Sequence, residues 1–244
     1  MTTVLTCADP LHLLMCLSPQ RKNEVNISLG LVRDERNMRV LKATAKNILT
    51  ASETVRRGGL VVYPTETVYG LGCDPHNVGA VERIFEVKGA REKPLPILAS
   101  DIEHVEKIAY LSEKASRVAD RFWPGPLTLV LPKTTILPGI VTSSLDSVGV
   151  RIPKHDIAIQ LVHLSNGLLV GTSANKTGEK TPRTAQEAAD QIGDDVDMIL
   201  DGGPASFGLP STIIDLTSER PRILREGPIS MNEILRVLQP FDVF

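Results

Sequence analysis

The sequence predicts an α/β fold: a single domain with a large twisted, mixed (parallel and antiparallel) sheet flanked by helices. Three observations carry that expectation. From Ala43 onward, apolar runs of strand length alternate with amphipathic stretches of helical period. Gly and Pro, 18 and 17 of them, punctuate these runs. Seven or eight short strands interleaved with helices require a sheet covered by helices, and no internal repeat or low-complexity linker divides it.

Ile48, Leu49, Ser52 and Val55 suit one face of a helix that Gly58 and Gly59 end. Leu60–Tyr63 is an apolar run stopped by Pro64, as a buried strand would be. Asn77 can cap a helix carrying Val81, Ile84, Phe85 and Lys88 on adjoining turns. A strand is expected at Pro96–Ala99. Ser100 with Glu103, Thr184 with Glu187, and Ser230 with Glu233 each fit a capping box opening a helix. Further helices are expected over Glu113–Phe122 and Asp156–Leu164, the latter with Gly167 as its left-handed C′ residue. The remaining strands are expected at Leu127–Leu131, Val148–Ile152, Leu168–Gly171, Met198–Leu200, Thr212–Leu216 and Arg222–Leu224. Residues 1–42 show weak periodicity and are taken as an N-terminal extension before a domain over 43–244, although Met38 could itself begin the compact part.

Composition narrows the function. The chain has 244 residues, 42% hydrophobic and 23% charged, which suits a globular core and excludes disordered, collagenous and coiled-coil classes. Its net charge of −2 excludes a simple basic nucleic-acid binder. Residues 1–57 hold nine Lys and Arg against five Asp and Glu, so the remainder is acidic, and any polyanion must be met by local cation clusters. Three cysteines, Cys7, Cys16 and Cys73, lack metal-ligand spacing and point to reduced thiols in a cytosol. No apolar run approaches the roughly 20 residues that span a bilayer, and 4–17 lacks the basic start of a secretory signal. A cytoplasmic protein without a membrane partner is expected.

Standard nucleotide motifs fail. Gly70-Leu-Gly72 opens like a dinucleotide fingerprint, but Pro75 holds the third glycine position. Gly171 to Thr177 ends in Lys-Thr like a phosphate loop, yet Asn175 replaces the glycine required before the lysine. Cys73 has no recognisable partner and reads as a packed thiol. Four segments stand out instead. Tyr63 to Gly72 places hydroxyls directly after a strand, where open α/β sheets put ligands, although a hydroxyl-rich turn explains it equally well. Lys88, Arg91 and Lys93 could converge on a triphosphate or simply satisfy a helix C-terminus. Ser173 and Asn175, two apart, face the same way in an extended stretch or belong to an ordinary capped turn. Arg151 closes an apolar strand, with Ser211 and Arg225 in or beside the last strands.

These segments, in this order, resemble the YrdC-like family of threonylcarbamoyl-AMP synthases from about residue 43 to 230. The most specific pieces are Tyr63-Pro-Thr-Glu-Thr-Val-Tyr-Gly-Leu-Gly72, Lys88 to Leu95, Phe122-Trp-Pro-Gly-Pro-Leu-Thr128 and Ser147-Val-Gly-Val-Arg151. Ser173-Ala-Asn175, Pro210-Ser-Thr212 and Leu224-Arg-Glu-Gly-Pro228 complete the set. The resemblance implies a nucleotidyltransferase that joins L-threonine, bicarbonate and ATP, with Mg²⁺, into threonylcarbamoyl-adenylate and pyrophosphate. The product would feed threonylcarbamoyl-adenosine synthesis in tRNA through a downstream transferase complex. It implies that Thr67, Arg151, Ser173 and Ser211 hold threonine. Lys88, Arg91, Lys93, Ser147, Asn175, Arg183 and Arg225 would surround ATP, with Lys88 and Arg91 carrying catalysis. Protein ligands of the metal are unknown.

The chain departs from the family pattern in the Lys88-x-x-Arg91 spacing, in the shortened step to Lys93, and at Leu98, where some members place a histidine. No sign of the extra C-terminal domain of some members is expected. Two rivals are a non-catalytic module binding tRNA or double-stranded RNA, and a carbamoyl-adenylate-forming relative using carbamoyl phosphate. The acidic main domain weighs against the first, and the lack of fused acylphosphatase-like and zinc-finger segments against the second.

Overall fold

The computed structural model describes residues 40–89 and 93–239. In chain order these form β1 (Val40–Lys42), α1 (Ala45–Arg56), β2 (Val61–Tyr63), β3 (Gly70–Gly72), α2 (Val78–Lys88), β4 (Ile97–Ala99), α3 (Ile102–Ile108) and α4 (Glu113–Phe122). There follow β5 (Leu127–Pro132), β6 (Ser147–Arg151), α5 (Asp156–Leu164), β7 (Leu168–Val170), β8 (Thr172–Ser173) and α6 (Ala185–Ile192). The last are β9 (Met198–Asp201), β10 (Thr212–Asp215), β11 (Arg222–Arg225) and α7 (Met231–Leu238).

The strands are mixed and flanked by helices, as expected, but they divide between two sheets. One runs β1-β9-β2-β3-β8 and the other β11-β10-β5-β6-β4-β7. Each contains parallel pairs (β1 with β9, β5 with β10) and antiparallel ones (β2 with β3, β5 with β6). The division happens inside one extended segment. Residues of β7 pair with β4, and two residues later β8 pairs with β3. Gly171 lies between them, and a Cβ there would come within 2.6 Å of Leu98 Cγ. The crossing needs a residue without a side chain.

Helix ends follow local chemistry. Thr44, Asn77, Ser112, Thr184 and Ser230 each accept a backbone N–H at a helix start. Ser230 and Glu233 complete a reciprocal capping box. At Thr184 only half the box forms, because Glu187 accepts from Arg183 N instead. Ser100 is not a cap: the next residue, Asp101, accepts His104 N and starts α3. A carboxylate at the cap position displaces the serine by one place. After α5, Asn166 (φ 65°) takes the left-handed C′ position, and Gly167 (φ 81°) is the residue beyond it, donating to Val162 O. Leu49, assigned to the buried face of α1, is 46% exposed; Ala51 takes that place instead.

Three strands carry too little apolar signal to be read in advance: β1, β3 (Gly-Leu-Gly) and β8 (Thr-Ser). The glycines of β3 have a packing reason. A Cβ on Gly70 would meet Tyr63 Cζ at 2.8 Å, and one on Gly72 would meet Tyr63 Cε1 at 2.9 Å. Tyr63 is fully buried and donates to Val170 O at 3.1 Å. Cys73 is a buried free thiol in the core, its pKa pushed up by burial.

Two apolar clusters hold the layers. The smaller joins Ile48, Ala51 and Val55 of α1 to Leu161 and Val162 of α5 over Tyr63, Leu98 and Leu169. The larger packs α2, α3, α4, α6 and α7 against strands of both sheets. Each fully buried Leu or Ile contributes roughly 1.5–3 kcal/mol relative to exposure. No described helix is long and apolar enough to cross a membrane.

Candidate active site

The segment after β2 turns at once. The Thr65 hydroxyl donates to Val68 O at 2.6 Å and accepts from the backbone N–H of Thr67 and Val68. With that proton committed, the Thr67 hydroxyl donates to Thr65 Oγ1 at 2.9 Å, leaving a lone pair for an incoming donor. Arg151 Nη1 supplies the donor at 3.0 Å.

Arg151, at the end of β6, is 6% exposed. Its Nε donates to Gly125 O at 3.0 Å, and its Nη2 lies 2.7 Å from Glu66 Oε1. Glu66 is buried to the same degree, and its Oε1 also accepts Lys154 N at 3.0 Å. The Oε2 of this carboxylate has no partner. Such a pair is costly to separate, because either ion alone would be buried uncompensated.

A second grouping lies beside it. Ser211 Oγ is 2.8 Å from Thr128 Oγ1 of β5. Arg225, in β11, donates through Nη2 to Ser211 Oγ and through Nε to Ser211 O, at 3.0 and 2.9 Å. Burial, and then the positive charge of Arg151, lower the Arg225 pKa. Two guanidiniums thus share one electrostatic neighbourhood, which favours an anion between them.

Lys88 ends α2 and crosses to the third grouping. Its ammonium donates to Ser173 O at 2.9 Å and Asn175 O at 3.0 Å, while Lys88 O accepts Thr177 N. Burial pushes its pKa down to about 8. Asn175 shapes the adjoining turn: its Nδ2 donates to Lys176 O and Glu179 O, and its buried Oδ1 has no partner. Residues 67–69 connect this grouping to the guanidiniums, since Tyr69 O accepts Ala174 N while Thr67 accepts Arg151.

The remaining candidates lie around these. Ser147 starts the strand that Arg151 ends, on the same face of the sheet. They are four residue steps apart along the strand, about 13 Å, a span suited to an extended ligand. Arg183 is exposed, and its guanidinium lies over Gly208, where a Cβ would collide with it. Lys93 is exposed on the stretch leading to β4, and Arg91 lies outside the described residues. A cleft of about 580 Å³ opens beside Lys88, lined by Arg83 and Lys176 but also by Glu86, Glu179 and Asp195. Its charges offset one another, so it offers a polyphosphate less than the Arg151–Arg225 neighbourhood does.

Thr65, Glu66 and Thr128 stand in segments singled out from the sequence but received no role there. The structure gives the reason for Glu66: every residue from Val61 to Cys73 is buried, and a carboxylate in such a run needs a buried cation.

Comparison with known proteins shows what the whole chain is similar to. The Sua5/YciO/YrdC family model, described as telomere recombination, matches residues 53–227. A threonylcarbamoyl-AMP synthase of Pyrococcus abyssi is 44% identical over 193 residues, covering 78% of this chain and 57% of that protein. One from Bacillus subtilis is 36% identical over 206 residues, covering 83% and 60%. The chain therefore spans less than two thirds of the length of these relatives. The crystal structure of P. abyssi Sua5 complexed with L-threonine superposes with a TM-score of 0.77 at 43% identity, over 79% of this chain and 57% of that one.

Proposed function

Because the chain belongs to the Sua5/YciO/YrdC family, we propose that it is a threonylcarbamoyl-AMP synthase. It condenses L-threonine, bicarbonate and ATP into threonylcarbamoyl-adenylate and releases pyrophosphate. The observation that carries this reading is that Arg151 with Thr67 and Arg225 with Ser211 meet along residues 125–128, where Gly125 O accepts Arg151 Nε, Pro126 O accepts Thr212 N and Thr128 pairs with Ser211. The likeness to a structure holding L-threonine supports it.

The chemistry has two steps. The amine of threonine adds to bicarbonate carbon and water leaves, giving a carbamate. A carbamate oxygen then attacks the α-phosphorus of ATP and pyrophosphate departs. In this second step nucleophile and electrophile are both anions, so fixed cations lower its barrier by reducing their repulsion. In this reading the Arg151 and Arg225 guanidiniums receive carboxylate and phosphate oxygens, and the Lys88 ammonium follows charge onto the leaving pyrophosphate. Arg91, Lys93 and Arg183 add further positive charge around the phosphates, and Ser147 and Asn175 contact the nucleotide. Ser173 and Ser211 orient the amino acid. No covalent nucleophile is needed; alignment and charge supply the rate.

Among the described residues no three His, Cys, Asp or Glu side chains gather to hold a metal. Mg²⁺ is accordingly proposed to enter with ATP on its phosphate oxygens, as this ion commonly does, and no step here is assigned to it. The product is proposed to serve tRNA modification through a downstream threonylcarbamoyl transferase in the cytoplasm, with tRNA as a further partner.

The deciding experiment is mass-spectrometric detection of threonylcarbamoyl-adenylate made by purified protein from threonine, bicarbonate and MgATP. Pyrophosphate released only with carbamoyl phosphate, or none with threonine, would overturn the reading.

A further inference from the structure

Glu66 and Arg151 are the two charged residues buried among the described residues, each 6% exposed, and they face each other. We infer that Glu66 is a positioning residue for the amino-acid half of the site, acting through Arg151; the inference rests on the threonine reading above.

Each nitrogen of the guanidinium is engaged: Nε donates to Gly125 O, Nη1 donates to Thr67 Oγ1, and Nη2 is ion-paired with Glu66 Oε1 at 2.7 Å, a contact of charges without a formed hydrogen bond. Two of these partners come from adjacent residues of one turn, so the plane of the fork is set by the backbone that carries Thr67. Glu66 reaches further than Arg151. Its carboxylate accepts Lys154 N, holding the chain between β6 and α5, and its backbone carbonyl accepts Phe207 N at 2.9 Å. Phe207 belongs to the loop that leads to Ser211. One residue therefore ties together the segments bearing Thr67, Arg151 and Ser211.

A purely structural ion pair is a weak account of this arrangement. Glu66 Oε2 is buried and receives no hydrogen bond, so the carboxylate is not placed for best satisfaction of its own lone pairs. Buried pairs of this kind are often replaceable by apolar residues without loss of stability. What an apolar residue cannot do is hold a guanidinium in one plane and balance its charge so that a second anion can be taken up. Glu66 does not touch the ligand in this scheme; Oε2 has no accessible surface.

The test is titration calorimetry of L-threonine, and separately of a non-hydrolysable ATP analogue, with wild type, Glu66→Gln, Glu66→Asp, Arg151→Gln and the double variant Glu66→Gln/Arg151→Gln. Glu66→Gln is expected to weaken threonine binding at least tenfold, with the ATP analogue within twofold of wild type. Glu66→Asp is expected to recover part of the loss. Adding Glu66→Gln to Arg151→Gln is expected to cost less than a further twofold, because the residue it acts through is already gone. Threonine affinity within twofold of wild type, parallel loss of both ligands, or additive losses in the double variant would each overturn the inference. Should Glu66→Gln not fold, Glu66→Asp decides alone: threonine weakened threefold or more with the nucleotide unchanged supports the inference, and anything else overturns it. A wild-type protein that does not bind threonine overturns the functional reading itself, and this inference with it.

Discussion

Lys88 grips the backbone of Ser173 from 85 positions away, its ammonium 2.9 Å from the carbonyl oxygen, with the Asn175 carbonyl 3.0 Å off on the same nitrogen. Among the described residues this cation is held by two neutral carbonyls and by no carboxylate, which leaves its charge available to a phosphate. It also loses hydration, and its pKa falls to about 8.

That depression sets a pH dependence. Below about 8 the free enzyme carries Lys88 as an ammonium that attracts phosphate; above it the amine is neutral and the attraction is lost. At saturating threonine, kcat/KM for ATP is expected to fall as pH rises through about 8. Lys88→Arg, whose charge persists beyond pH 12, is expected to lose that descending limb even if its rate is lower. A descending limb identical in the two proteins would remove Lys88 from the role.

Lys88→Ala is expected to reduce turnover at least tenfold, or about 1.4 kcal/mol of transition-state stabilisation. Pyrophosphate release with threonine, bicarbonate and ATP reads it directly. A rate within twofold of wild type would mean that Lys88 only braces the 173–177 segment.

Arg151→Lys keeps the charge but loses the fork that meets Gly125, Thr67 and Glu66 together. The KM for threonine is expected to rise by about tenfold or more, and that for ATP by much less. Arg151→Ala goes further, leaving Glu66 buried alone, and is expected to lower stability by roughly 3–5 kcal/mol in denaturant unfolding. Equal rises in both KM values would contradict the placement of Arg151 beside the amino acid.

Two glycine substitutions separate packing from propensity. A Cβ on Gly72 would meet Val170 O at 2.5 Å as well as the Tyr63 ring, so Gly72→Ala is expected to cost roughly 1–3 kcal/mol. Gly79 sits in the first turn of α2 with nothing closer than 3.6 Å, so Gly79→Ala is expected to be neutral or stabilising by up to about 1 kcal/mol. Thermal melting of both variants checks the contrast.

The helices were legible because their caps and apolar faces are local. Asn77, Ser112 and Ser230 act within four residues of the turns they start. The strands after Ala43 with two or more Val, Ile or Leu were legible for the same reason, whereas β1, with Val40 and Leu41, fell in the stretch read as an extension. β3 and β8 were not, since Gly-Leu-Gly and Thr-Ser owe their extended shape to Tyr63 and to each other, across a hundred residues. The division into two sheets was hidden because it turns on one glycine facing Leu98. In the site, residue types and order singled out Arg151, Ser211 and Arg225, and the family resemblance added Thr67. Which hydroxyl serves which guanidinium is set by the folded chain, and so Thr128 and Thr65, with no charge to mark them, stayed without a role.

β1 and β2 both lie beside β9, in parallel register with Met198–Asp201. A strand near residue 40 therefore has no neighbour on that flank until synthesis has passed residue 201, and the chain emerges from the ribosome with two apolar edges waiting. Truncation just before Met198 would strand both at once, so the pairing of β1 and β2 waits on residues 198–201.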